Sequence, residues 1–187
     1  MKKRILTAVA AALLLSLPAL SMAQGGYAWW LTKTYKPVDR TIAGIPVEQI
    51  RPSWVAAQTF TRSSFTAREH ADVYSAPDFK PLWEVRRDLN RDGKVDRALV
   101  GVARTRSGAL ERFLVIVTDN GAGGWKKIYS EWTPTDPSNY DRGFSYLIDR
   151  GKGGLMWNDC FECGGSLGNL KWNGKKFVIE SVDEGYD

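Results

Sequence analysis

From Phe79 onward the sequence is a succession of short apolar runs, each cut off by turn chemistry before it could complete a helix. The runs are Leu82 to Arg87, Arg97 to Ala103, Arg112 to Thr118, Trp125 to Trp132, Phe144 to Ile148, Leu155 to Trp157, Leu167 to Trp172 and Phe177 to Val182. Arg106-Ser107-Gly108 and Asn173-Gly174 read as hairpin turns, the second being the pair that a type I′ loop favours. Asp119 to Gly124 and Gly151 to Gly154 are longer glycine-rich connections. No helical period intervenes, so the pattern predicts an all-β antiparallel meander, closed as a curled sheet, a sandwich or a partial propeller. No internal repeat is present, which disfavours a complete many-bladed propeller.

The preceding residues have a different character. Residues 24–78 are expected to be extended or short-helical and to pack on the β body at 79–187, with Tyr27, Trp29, Trp30 and Tyr35 as apolar anchors. Pro52 to Phe60 can begin a short helix with proline in its first turn. Thr66-Ala67-Arg68-Glu69 has capping-box spacing, which predicts a second helical turn.

Residues 1–23 read as a cleaved export signal. Lys2, Lys3 and Arg4 precede an apolar run, Pro18 breaks it, and Ser21-Met22-Ala23 supplies small residues before Gln24. The apolar run is shorter than the roughly 20 residues a bilayer span needs. The formal charge of +5 therefore misleads: the leader holds three of the 26 cations and none of the 21 acids, and the remainder is nearly neutral. Nucleic-acid binding through bulk charge is not expected, nor is a stable membrane span. The expected location is the periplasm or the medium.

Export also changes how Cys160-x-x-Cys163 reads. In an oxidising compartment the default for such a pair is a local disulfide. A redox centre and a free or intermolecular thiol pair stay open beside it. Asp159 and Glu162 would raise a thiolate pKa, and the glycines at 164 and 165 suggest a turn instead of a helix start.

The sharpest motif is Asp88-Leu89-Asn90-Arg91-Asp92-Gly93-Lys94-Val95-Asp96. Oxygens at the first, third and fifth positions can converge on one hard cation, and the glycine at the sixth permits the sharp turn. Lys94 can add its carbonyl oxygen, and Asp96 can close the site from the outgoing strand. The expected ligands to a structural calcium are thus Asp88, Asn90, Asp92, Lys94 and Asp96. Arg87, Arg91, Lys94 and Arg97 add counter-charge that would moderate the affinity. Over residues 84–103 this resembles the calcium loops of FG-GAP and VCBS-type β proteins, and the resemblance implies a loop joining two strands.

Catalytic constellations are sparse, so an enzyme is not expected and no catalytic residue is assigned. His70 is the sole histidine, no G-x-S-x-G elbow is present, and nothing in the spacing of Glu84, Glu111, Glu131 and Glu180 selects a carboxylate pair. Eight tryptophans exceed what a small β core needs, and Trp and Arg often carry binding hot spots. Trp125, Trp132, Arg104 and Arg106 are the candidate partner-binding residues. In export, size and calcium-loop β architecture the chain also resembles, more weakly, periplasmic lysozyme inhibitors and immunity proteins. That resemblance implies a protein partner such as a cell-wall hydrolase. No inhibitory residue transfers, because Ser107-Gly108 is followed by Ala109, Leu110 and Glu111. The competing expectation is an envelope carbohydrate-binding module or a wall-associated hydrolase.

Overall fold

The computed structural model describes residues 29–73, 80–136, 138, 141–158 and 167–181. In chain order these form β1 (Thr41–Ile42), β2 (Ile45–Pro46), α1 (Val47–Ile50), β3 (Trp54–Thr59), α2 (Ala67–Val73), β4 (Glu84–Arg87), β5 (Asp96–Thr105) and β6 (Leu110–Asp119). They continue with β7 (Trp125–Pro134), β8 (Tyr146–Asp149), β9 (Leu155–Asn158), β10 (Leu167–Trp172) and β11 (Phe177–Ser181). All eight expected strands form, and every pairing is antiparallel. The protein is all-β. Strands β4 to β7 make one meander and β8 to β11 a second, and β1 with β2 makes a small ribbon.

The helix expected from Pro52 to Phe60 is absent: those residues carry β3, which pairs with β5. Alanine's helix propensity at positions 56 and 57 is a small effect, and tertiary demand outweighs it. β4 covers β5 only from Asp96 to Leu99, so the backbone groups of β5 beyond that point need another partner. β3 supplies it from Gly101 to Thr105. The handover at Val100 is complete, since its N–H donates to the Trp83 carbonyl (3.3 Å) and its carbonyl accepts the Phe60 N–H (2.9 Å). The main sheet is therefore five-stranded, with β3 and β4 end to end along one edge of β5. At Thr66 the capping-box bonds are made both ways, Thr66 N–H to Glu69 Oε2 (2.6 Å) and Glu69 N–H to Thr66 Oγ1 (3.2 Å), and α2 follows.

Both faces of the main sheet are covered, which accounts for the nearly unbroken burial along β5 and β6. Ala98, Val100, Val102, Leu114 and Ile116 face one core, shared with Tyr146, Leu147, Leu155, Trp157, Leu170 and Phe177 from the second meander. Leu99, Ala103, Phe113, Val115 and Val117 face the other, under Ile42, Ile45, Val47, Ile50 and Trp54. The register explains the division, because Ala98 pairs with Ile116 and Val100 with Leu114, while Leu99 pairs with Val115. A bridge just before β4 ties the two meanders together, with Leu82 and Leu147 exchanging N–H to carbonyl bonds of 2.8 and 2.7 Å.

Candidate functional site

Arg87 at the end of β4 pairs directly with Asp96 at the start of β5, so residues 88–95 are the loop of a hairpin. Its side chains are ordered around their own amides. Asp88 accepts the N–H of Asp92 (3.1 Å) and of Gly93 (2.9 Å), one on each carboxylate oxygen. Asn90 Oδ1 accepts the Asp92 N–H (3.0 Å), and Asp92 Oδ1 accepts the Lys94 N–H (2.9 Å). Asn90 Nδ2 donates to Asp92 Oδ2 at 3.0 Å. Arg91 (φ 63°) and Gly93 (φ 83°) make the reversal in the left-handed region. The Lys94 N–H and the Asn90 amide, both donating to the charged form, hold the Asp92 carboxyl below the usual carboxylate value.

Asp96 differs from the other acids of the loop. It is fully buried, its Oδ2 accepts the Leu89 N–H (2.9 Å), and its Oδ1 has no hydrogen-bond partner. A buried carboxylate oxygen without a partner carries a desolvation penalty that a cation would relieve. Ionised carboxylates have about four acceptor sites each, so the bonds to N–H groups leave Asp88 and Asp92 with capacity for a metal. Among the described residues, however, no group of three or more His, Cys, Asp or Glu side chains is closed to metal-holding geometry. Instead Asp88, Asn90, Asp92 and Asp96 each accept at least one backbone N–H of the loop.

The loop belongs to a larger cluster of turns. Arg87 donates to the Gly151 carbonyl and lies 3.4 Å from Asp149, which joins the β4–β5 loop to the β8–β9 turn. Between these turns and the β10–β11 hairpin lies a cavity of about 540 Å³. Arg87, Asp88, Arg91, Lys152, Lys171 and Trp172 line it, with the Gly151–Gly154 backbone. The Trp172 and Phe177 rings meet at 5.0 Å along its wall. Reading along the sequence identified the nine-residue loop but not this cavity, because its residues come from three separate hairpins.

The four partner-binding candidates divide between two ends of the main sheet. Arg104 and Arg106 are exposed at the β5–β6 turn, and Trp132 pairs with Phe113 toward that end. Trp125 pairs with Asp119 at the opposite end, on the side of the β4–β5 loop. Both tryptophans lie under arginines, with the Arg51 guanidinium 3.9 Å from the Trp132 ring and that of Arg97 5.0 Å from Trp125.

His70 lines a second hollow of about 720 Å³, with Phe60, Trp83 and Glu84. Its Nε2 lies 2.9 Å from the Arg62 carbonyl, and its ring meets the edges of Phe65 and Trp83. The four candidate carboxylates each have protein partners. Glu84 holds Arg86 and Arg97, Glu111 holds Arg51 and Trp54, Glu131 accepts the Tyr129 hydroxyl, and Glu180 pairs with Lys171. Cys160, Cys163 and residues 1–23, read above as an export leader, lie outside the described residues.

No protein-family profile matches the sequence, and neither a curated protein nor a solved structure is matched by it.

Proposed function

We propose that this chain is an exported protein that acts by recognition and not by catalysis, with the β4–β5 loop as a structural calcium site. The observation that carries the reading is the buried Asp96 with its unpartnered Oδ1, in the loop that already gathers Asp88, Asn90 and Asp92. Calcium takes six to eight oxygen ligands, and those four side chains with the Lys94 carbonyl supply most of a shell. Binding would require Asp88 and Asp92 to turn a free lone pair inward while keeping their amide bonds. Its effect would be to fix the hairpin and compensate the Asp96 carboxylate. The engagement of His70 and of all four glutamates in packing, hydrogen bonds or ion pairs supports recognition over catalysis.

Calorimetry with calcium tests the site. The Asp88→Ala and Asp92→Ala variants are expected to bind at least tenfold more weakly than the parent; equal affinities would refute it. Recognition of another protein is the second reading, supported by Arg104 and Arg106 standing exposed on the β5–β6 turn. A periplasmic extract passed over the immobilised protein should yield a stoichiometric partner that the Arg104→Ala, Arg106→Ala double variant no longer retains. Equal retention by the variant would remove that surface.

A further inference from the structure

The cavity between the β4–β5 loop, the β8–β9 turn and the β10–β11 hairpin is lined, apart from Asp88, by residues outside the proposed calcium ligands. We propose that it is a binding site for an acidic saccharide, a sugar ring carrying carboxylate groups. Its volume of about 540 Å³ lies in the range of small-ligand sites. Among the described residues, four cations line it, Arg87, Arg91, Lys152 and Lys171, against the single acid Asp88.

The acid is turned into its own loop, where both oxygens accept amide N–H groups. The cations are less engaged. Arg91 and Lys152 form no ion pair among the described residues, while Arg87 is held toward Asp149 and Gly151 and Lys171 toward Glu180. A wall with two uncommitted cations and two oriented ones attracts oxyanions, and arginine's planar fork suits a carboxylate. Trp172, half-buried against Phe177, adds an aromatic wall against which a sugar ring can pack. Arg91, which lines the cavity, is held at φ 63°, where glycine would sit without strain.

The charge argument would be met equally by any small oxyanion, and the aromatic wall is what favours a sugar. The test is calorimetry at low ionic strength with chelator present, so that failure of the calcium site leaves the result unaffected. Trigalacturonate, neutral maltotriose and inorganic phosphate are the probes. Trigalacturonate is expected to bind, and to bind at least tenfold more weakly to Arg91→Gly and to Lys152→Gln. Arg104→Gln, at the far end of the sheet, should bind like the parent. Arg91→Gly removes the charge and relaxes the backbone, so its thermal midpoint should equal or exceed the parent's, which separates lost binding from lost folding. Equal affinity of parent and both variants overturns the site. Binding of phosphate without trigalacturonate overturns the saccharide, and maltotriose binding as tightly as the acid overturns the role of charge.

Discussion

Lys33 shows how a single side chain fixes the extended N-terminal segment. Its ammonium lies 2.8 Å from Glu69 and at 5.4 and 4.9 Å from the centres of the Trp29 and Phe65 rings. It therefore ties the chain before β1 to the first turn of α2. Burial alone would raise the Glu69 pKa, but the Lys33 hydrogen bond and charge, with the Thr66 N–H, outweigh it and hold the carboxyl below its ordinary value of 4.5. A depressed carboxyl stabilises the fold fully above its unfolded pKa and loses that contribution as pH falls through the folded one. Glu69→Gln should therefore cost about 1 kcal/mol at pH 7, a modest sum for a pair near the surface. The gap between parent and variant should close as the pH drops below the ordinary glutamate value and through the folded one. Urea unfolding at a series of pH values measures it, and a gap independent of pH would show that the contact is steric and not electrostatic.

At the scale of elements, the edge of β5 is the point on which the main sheet depends. A Cβ added to Gly101 would lie 2.1 Å from the Gln58 carbonyl oxygen and 2.7 Å from the Phe113 ring, so β3 can reach β5 only because this residue has no side chain. Gly101→Ala is expected to destabilise the protein by about 3 kcal/mol, the upper end of overpacking costs, read as a lower urea midpoint. A midpoint unchanged from the parent would mean that β3 is not held against β5. The same edge explains what the sequence could and could not reveal. Asn173-Gly174 and the glycine-rich turns delimit their strands locally, and those strands are legible. Ala56-Ala57-Gln58 carries no strand signal of its own, and its conformation is decided by unpaired amides more than forty residues away in β5. The calcium-type loop is legible because its oxygen-bearing residues alternate within nine consecutive positions. The cavity is not, because Arg91, Lys152 and Trp172 meet only after two meanders have packed.

Across the whole molecule, the main sheet separates two cores, and its central strands β5 and β6 are buried on both faces, which is uncommon for an antiparallel sheet of this size. Arg112 and Asp141 form an ion pair inside that arrangement at 2.7 Å, both nearly inaccessible, and Asp141 also accepts the N–H groups of Gly143 and Asp136. The pair anchors the chain between the two meanders. The shared edge of β5 also sets a chronology. β4 and β5 are joined by one short loop, whereas β3 must find β5 across a much longer stretch of chain, with a larger loop-closure cost. The β4–β7 meander should therefore assemble first, with β3 added to a preformed edge. In stopped-flow refolding, Ala57→Gly in β3 is then expected to speed unfolding while leaving the folding rate nearly unchanged, and Val85→Ala in β4 to slow folding. The reverse pattern would place β3 in the nucleus. Two strands laid end to end along one neighbour thus turn a feature of architecture into an order of events.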